Sequence, residues 1–510
     1  MSLLNRTFHP DEANQAFTTG RLLETGVYRY DPKDHHGPTL YYAAAAIQKA
    51  AGNNSTAAMD GNLLRCTPLL FAILTLVFAT LTAKKIFSRA NIGWKLPSLL
   101  IVGLLATSPI FAFFATDFIQ EMLLACFTAM MLWSATGYVF SLPPQRLKDA
   151  KPQKLKPGTW ALLAGIAAGL AFATKETSIL TFAAFAISTA IAYLYHTHPP
   201  STQRPTANHQ LPSTLAIAGF ALTSTLFYSS FAANWQGVYN AFVSAPLSYM
   251  HRAAGDAVSE GAAYHVHPWW QYLKWLFGSS TFLAAYVLMG ILYGFSVLLR
   301  VKNGAIASRQ PIATAFAATM CYSLILTLAY SSIPYKTPWC ALQLHLPILL
   351  SAFLGFAMWS SLKKSNLIVT AFFTMVLLCH NCVLSAKMWH EPDSKKIPYN
   401  YASASPQVKD MAKLVKDIVS EKQKDGNTFV AIALPSEDTW PLPFYLRGLD
   451  ARIGYWTQFA ELEALAGLKR NPDIVVVPAE EGHLVQPLFP HLKNTKRFEM
   501  RHRVRVRVFW

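Results

Sequence analysis

Residues 311–331 read PIATAFAATMCYSLILTLAYS, a run without a single Asp, Glu, Lys or Arg. A helix needs about 20 such residues to cross the roughly 30 Å of hydrocarbon in a bilayer. The composition of the whole chain agrees, because 53% of its 510 residues are hydrophobic and only 14% are charged. The stretch therefore predicts a membrane-spanning helix, and the composition excludes a disordered chain or an ordinary soluble domain.

Runs of similar length and apolarity lie on both sides of this stretch, and together they predict about ten transmembrane helices. They lie near residues 63–83, 95–115, 121–140, 159–174, 177–196, 213–232, 279–299, 311–331, 340–360 and 366–388. The predicted fold class is therefore a polytopic α-helical membrane protein.

The tail after residue 388 has a different pattern. Its β-rich runs are separated by helix-like segments, which predicts a small α/β domain. The runs are Phe429–Leu434, Arg452–Trp456, Asp473–Pro478 and Arg497–Trp510. The closing HRVRVRVFW indicates a strand with one solvated face more than a site for an anion. We thus expect a first loop at 1–61, a helical domain at 62–388 and an α/β domain at 389–510.

Lys and Arg are concentrated in alternate connections between the predicted helices. One set of connections holds 15 of them, and by the positive-inside rule that set faces the cytoplasm. This bias accounts for the net charge of +17, so we do not expect nucleic acid as a partner. The outer side of the cytoplasmic membrane is then the side of the loops 1–61, 233–275 and 331–339 and of the tail. Because no apolar segment precedes residue 61, we expect a further transmembrane helix upstream of this sequence.

Two polar stretches near the N-terminus contain candidate functional residues. Asp11 and Glu12 form a carboxylate pair suited to a catalytic base or a metal ligand, although a helix N-terminus explains the same spacing and is favoured by it. The stretch YDPKDHHGP at 30–38 contains His35 and His36, which suit a metal or a phosphate, or simply a hydrophilic turn.

Three further stretches of the predicted outer connections contain candidate residues. Lys175 is placed to neutralise Asp117 and Glu121, as a structural ion pair or as part of a ligand site. Lys336, beside Tyr335, suits a lipid phosphate, although a snorkelling anchor explains it equally. The two histidines of the stretch HVHPWW, at 265–270, indicate an aromatic belt more than a metal site.

The order of several motifs along the chain resembles a known family. The motifs are the DE pair, YDPKDHHGPTLYY at 30–42, GLAFATKET at 169–177, FYSSFAANWQG at 227–237, HPWWQYL at 267–273, SSIPYKTPW at 331–339 and WPLPFYLRG at 440–448. They resemble the GT-C superfamily of membrane glycosyltransferases, in its protein O-mannosyltransferase and aminoarabinose transferase group. The nearest subgroup is the one labelled flippase activity-associated in archaeal glycosylation. The chain departs from this pattern around residues 116–120, where relatives often carry Arg.

The resemblance implies a transferase that takes a sugar from a polyprenyl-phosphate donor and passes it, at the outer membrane face, to a protein, lipid or polysaccharide acceptor. It implies Asp11, with Glu12 beside it, as the base of an inverting displacement or as the ligand of an assisting divalent metal ion. Cations would stabilise the leaving phosphate. The phosphate-binding candidates are Lys336, Tyr335, Arg65, Lys175, His35 and His36, and the metal-binding candidates are Asp11, His265 and His267. The alternatives are a lipid-linked sugar flippase or transporter, and a non-catalytic accessory protein.

Overall fold

The computed structural model describes most of the chain. The described residues are 3–32, 36–141, 155–197, 210–248, 265–302, 309–392, 394, 396–400, 403–422, 428–467, 471–501 and 504–510. The chain folds into two compact units, which we describe separately. The membrane unit consists of Val27–Ala43 and Arg65–Met388, and the α/β unit consists of Met1–Gly26, Ala44–Leu64 and Trp389–Trp510. The segment 1–61 is thus divided between the two units.

Helices occupy each of the ten segments that the apolar runs predict. Among the described residues, six helices are long and apolar enough to cross a membrane, namely Gly61–Arg89, Glu121–Ser141, Thr281–Val301, Gln310–Ser332, Pro338–Ser360 and Lys364–His390. The others in these segments are Lys95–Thr107, Pro109–Phe114, Pro157–Phe172, Ser178–Thr197 and Gln210–Tyr228. Shorter connecting helices are Thr39–Ala50, Trp235–Tyr239 and Gln271–Phe277. The prediction of a multi-pass helical membrane protein is confirmed.

One predicted span is wrong in detail, because residues 95–115 form two helices instead of one. The break is at Ser108, whose extended backbone (φ −62°, ψ 126°) precedes Pro109. A proline lacks the N–H that would continue the helix and disfavours helical geometry at the residue before it. The second helix, Pro109–Phe114, leads directly into the turn at 116–120.

Small residues let neighbouring membrane helices approach closely. A Cβ atom at Gly165 would lie 2.0 Å from the carbonyl oxygen of Ala216, and one at Gly290 would lie 2.4 Å from that of Ala352. No larger side chain fits at either position without moving a backbone. Since lipid offers apolar side chains as good a solvent as the protein interior, such close packing holds membrane helices together.

The α/β unit contains a five-stranded sheet. Its strands are β1 (Val430–Ala433), β2 (Ile453–Trp456), β3 (Ile474–Pro478), β4 (Thr495–Arg501) and β5 (Val504–Phe509), in the order β2-β1-β3-β5-β4. The first three strands are parallel, and β5 runs antiparallel to both β3 and β4. The C-terminal α/β domain is therefore confirmed, although the run Arg497–Trp510 forms parts of two strands. Its alternating pattern could not reveal the reversal between them, because the alternation continues in both.

Helices complete the α/β unit. They are Pro10–Thr25, Gln407–Lys422, Ser436–Thr439, Leu442–Leu446, Ala460–Gly467 and Val485–Leu488. The helix Gln407–Lys422 buries one apolar stripe, including Val408, Met411 and Val415, against the sheet. The N-terminal residues pack here too, since the ring of Phe8 stacks on Phe444 at 4.4 Å and its N–H donates to the Tyr445 hydroxyl at 2.8 Å.

Candidate active site

The carboxylate pair at 11–12 lies at the start of the helix Pro10–Thr25 in the α/β unit. Glu12 is fully buried, and its Oε2 accepts the backbone N–H of His9 at 2.9 Å while its Oε1 lies 3.9 Å from an Arg6 nitrogen. His9 in turn accepts the Asp11 N–H through Nδ1 at 3.1 Å. This is a capping box, so the helix N-terminus expected from the spacing is present.

The two carboxylates of this pair therefore have different surroundings. Glu12 is held by the cap and by Arg6, whereas the Asp11 side chain is 47% exposed, with Oδ2 3.8 Å from His9 Nδ1. An exposed carboxylate can accept a proton from an incoming hydroxyl, while a buried one that already accepts a backbone N–H is better suited to holding the turn.

Lys336 lies in the connection between two membrane helices, where the chain pairs with a distant segment. Val266 and Tyr335 form an antiparallel bridge, and the Lys336 N–H donates to the His265 carbonyl at 2.8 Å. The Lys336 side chain is only 1% exposed, and its Nζ donates to the carbonyl oxygens of Ile333 and His267. Burial lowers the pKa of Lys336 below its ordinary value.

The charge of Lys336 is not neutralised within the part of the chain that the structure describes. Its ammonium group donates to two carbonyl oxygens, and no described carboxylate forms an ion pair with it. A buried cation whose partners are carbonyl dipoles attracts an anion more strongly than a paired one. Tyr335, the neighbouring residue, is 46% exposed.

The two predicted metal-binding histidines lie beside this lysine but in cationic, aromatic surroundings. His265 packs on Tyr335 with ring centroids 4.7 Å apart, and His267 packs on Trp275 at 5.3 Å. Burial, and then the charges of Lys336 and Lys274, lower the pKa of His267. These neighbours would repel a metal cation, so His265 and His267 do not fit a metal site.

The distribution of potential metal ligands supports this conclusion. Among the described residues, no three His, Cys, Asp or Glu side chains are grouped so as to hold a metal ion. The predicted metal-binding set of Asp11, His265 and His267 is divided between the two units and stays a prediction. Asp11 belongs to the α/β unit and the histidines to the membrane unit.

Lys175 has the opposite electrostatic environment to Lys336. Its Nζ forms a buried ion pair with Glu121 Oε1, and Gln343 donates to the Glu121 backbone carbonyl at 2.8 Å. Burial acts to lower the pKa of Lys175, but attraction by Glu121 outweighs it and the pKa is raised. The ion pair considered from the sequence is present. Asp117 does not share a helix with Glu121, because that helix begins at Glu121.

His36 is also paired with a carboxylate, that of Glu176, which directly follows Lys175 in the chain. His36 Nδ1 lies 2.9 Å from Glu176 Oε2, and the Tyr30 hydroxyl donates to Glu176 Oε1 at 2.7 Å. Burial acts to raise the pKa of Glu176, but the charge and hydrogen bond of His36 and the bond from Tyr30 lower it to about 2. Sequence reasoning missed this cluster because Glu176 lies 140 residues from His36 and 146 residues from Tyr30.

Close backbone contacts support the His36 cluster. The Thr39 N–H donates to the Ala173 carbonyl at 3.1 Å, and the Thr39 and Thr174 hydroxyls lie 2.7 Å apart. The segment Val27–Ala43 is thereby held against the turn that follows the helix Pro157–Phe172. His35 lies outside the described residues.

Apart from Arg65, the predicted phosphate-binding residues that the structure describes lie in three different environments. Lys336 and Tyr335 lie together with His265 and His267, Lys175 is neutralised by Glu121, and His36 is held by Glu176. His267 is connected to Tyr330 by a series of ring contacts, which passes through Trp275 and Tyr272. Arg65 is fully buried in the helix Gly61–Arg89.

Comparison with known proteins identifies the fold. No protein-family profile and no curated protein sequence matches the chain. Among solved structures, it is similar to ArnT from Cupriavidus metallidurans bound to undecaprenyl phosphate, with a TM-score of 0.59, 12% identity and coverage of 99% of this chain and 94% of that one.

A second similar structure is the archaeal oligosaccharyltransferase AglB from Archaeoglobus fulgidus, in complex with an inhibitory peptide and a dolichol-phosphate. Its TM-score is 0.50 at 12% identity, and the match covers 93% of this chain and 66% of that one. The same enzyme has also been solved with Zn and sulfate, again at a TM-score of 0.50. The chain shares its fold with these structures, so the fold expected from the sequence motifs is confirmed.

Proposed function

We propose that the chain is a membrane glycosyltransferase that takes a sugar from a polyprenyl-phosphate carrier and passes it to an acceptor hydroxyl at the outer membrane face. The two similar structures contain undecaprenyl phosphate and dolichol-phosphate respectively, which supports a carrier of this chemistry. The outward placement is supported by the 15 Lys and Arg residues in the opposite set of connections.

The observation that carries the proposal is the buried ammonium group of Lys336. Its partners are the carbonyls of Ile333 and His267, and it has no carboxylate partner among the described residues. In the proposed reaction the lipid phosphate leaves with its negative charge, and a preorganised cation stabilises that charge as it develops. Tyr335, exposed beside it, is suited to donate a hydrogen bond to the same phosphate.

Asp11 is the proposed catalytic base. Its exposed carboxylate takes the proton of the acceptor hydroxyl, and the resulting oxygen nucleophile attacks the anomeric carbon. The new glycosidic bond forms as the bond from that carbon to the phosphate oxygen breaks, with inversion. In this scheme Glu12 holds the turn that carries Asp11, since it is buried and bonded to His9.

The proposal does not use Lys175 or His36 to bind the phosphate. The ion pair with Glu121 leaves Lys175 little charge for a phosphate, and Glu176 does the same for His36. We therefore assign the phosphate contact to Lys336, with Arg65 as a second cation. An assisting metal ion at Asp11 stays a prediction, and no step of the scheme depends on it.

The proposal can be tested by mass spectrometry of polyprenyl-phosphate sugars in membranes of a deletion strain. The strain is rescued with the natural full-length protein, with Asp11→Asn or with Lys336→Gln. We expect one lipid-linked sugar to accumulate in the deletion and with both variants, and not with the wild type. Glu421→Gln and Lys364→Gln, which remove exposed charges, are the matched controls and should rescue. Full rescue by Asp11→Asn would rule out its role as the base.

A further inference from the structure

The α/β unit has a crevice at the carboxyl ends of its three parallel strands. The segments that follow β1, β2 and β3 line it, through Pro435, Thr457 and Glu481 among others. β1 lies between β2 and β3, so the chain leaves β1 toward one side of the sheet and later returns to the other. In open α/β sheets this switch point is where ligands bind, because the connections diverge and leave a crevice.

The size of the crevice is that of a small-molecule site. Its volume is about 470 Å³, within the range of roughly 300–1,000 Å³ that is typical of ligand pockets. Its apolar lining includes Phe459, Pro435 and Pro478, and also Leu484, which is 39% exposed. An apolar lining of this kind fits a flat, partly apolar ring.

The polar groups around the crevice are hydrogen-bond acceptors and neutral donors. They are Thr457, Gln458, Glu463 and Glu481, and its described lining includes no Lys, Arg or His. Carboxylate oxygens accept hydrogen bonds, so a ligand that brings O–H or N–H groups to the crevice would be favoured. The two carboxylates would repel an anion.

We propose that this crevice binds a neutral or amino sugar unit. A pyranose has C–H groups on its faces that can rest on Phe459, and hydroxyls at its edge that can donate to Glu481 and Glu463. A phosphate, a nucleotide or a uronic acid is excluded by the same carboxylates. The inference rests on the α/β unit alone and does not depend on the proposed transfer reaction.

The test measures binding of simple sugars to the full-length chain in lipid nanodiscs, by saturation-transfer difference NMR. The probes are methyl α-mannoside, N-acetylglucosamine and glucosamine, with glucuronic acid as the anionic comparison and spermidine as a non-sugar amine. We expect at least one of the three sugars to bind and glucuronic acid to bind at least about tenfold more weakly, a difference of roughly 1.4 kcal/mol. Binding should persist in Asp11→Asn, which separates this inference from the proposed reaction.

Variants of the lining decide whether the crevice is the site. Glu481→Gln should weaken binding about tenfold or more, and Leu484→Arg should abolish it by filling the crevice. Glu480→Gln removes the neighbouring exposed carboxylate, which does not line the crevice, and should leave binding unchanged. Unchanged thermal unfolding of each variant shows that it is folded. The inference is overturned if no sugar binds at about 10 mM, if spermidine alone binds, or if Glu481→Gln and Leu484→Arg bind as the wild type does.

Discussion

Lys175 and Lys336 are both buried lysines in connections between membrane helices, yet their surroundings differ in one respect. Lys175 forms an ion pair with Glu121, while the Nζ of Lys336 contacts the carbonyl oxygens of Ile333 and His267. The pKa of Lys175 is raised because attraction by Glu121 outweighs burial, and the pKa of Lys336 is lowered by burial.

This difference separates a structural charge from one available to a ligand. A paired buried charge chiefly maintains the local structure, because removing one partner leaves the other uncompensated. A buried cation with carbonyl partners alone is disfavoured in the empty protein and is relieved when an anion arrives. The comparison predicts that stability depends on Lys175 and that phosphate binding depends on Lys336.

The largest expected effect is on stability, from Lys175→Ala. This change leaves the Glu121 carboxylate buried without its partner, and we expect the free energy of unfolding in detergent to fall by about 3–5 kcal/mol. Lys175→Met combined with Glu121→Met removes both charges and should recover to within about 1 kcal/mol of the wild type. If the single variant is as stable as the double one, the pair is not structural and the comparison fails.

Glu176 is a second structural carboxylate, and we expect its substitution to have an intermediate effect on stability. Glu176→Gln removes the ionised acceptor of the His36 and Tyr30 bonds and should cost about 1.5–3 kcal/mol at neutral pH. Because the pKa of Glu176 is lowered to about 2, its stabilising contribution is present above its ordinary pKa and is lost as pH falls toward 2.

Unfolding curves of the wild type and Glu176→Gln at several pH values test this sign. The difference between them should shrink as the pH falls below about 4. Tyr30→Phe, which removes one donor and keeps the carboxylate, is the matched variant and should cost only about 1 kcal/mol. A difference that grows in acid would contradict the assignment.

The smallest expected effect on stability is that of Lys336→Met. A lysine whose pKa is lowered in the folded protein costs stability below its ordinary pKa, and the cost disappears as pH rises past that value. We therefore expect the free energy of unfolding of Lys336→Met at pH 7 to lie within about 1 kcal/mol of the wild-type value, or to exceed it. A loss as large as that of Lys175→Ala would show that Lys336 is structural as well.

The helices could be located from the sequence because an apolar run is a local property. Each predicted span overlaps a helix, and the parallel strands β1 and β3 lie in the predicted runs because buried strands are apolar throughout. Pro109 is a local signal for the helix break at Ser108, but the length of an apolar run does not take proline into account. Where a pattern continues from one strand into the next, as from β4 to β5, it does not show that the two strands are antiparallel.

The candidate site was predictable only as a set of residue types. Lys175 and Glu121 lie 54 positions apart, and His36 and Glu176 lie 140 apart, so no spacing rule relates them. Their pairing depends on how the turns at 116–120 and 173–177 are packed. From the sequence, Lys175 could form an ion pair with Glu121 or belong to a ligand site. Only the folded chain shows that Lys175 and His36 each have a carboxylate partner, whereas Lys336 has none among the described residues.

Native mass spectrometry of the purified chain with undecaprenyl phosphate, against undecaprenol as the neutral lipid, tests the central claim most directly. We expect the wild type to retain the phosphate lipid in preference to the alcohol, and Lys336→Gln to lose this preference by about tenfold or more. The variant Lys175→Met/Glu121→Met should keep the preference. If Lys336→Gln keeps it as well, or if the wild type does not distinguish the two lipids, Lys336 does not bind the donor phosphate.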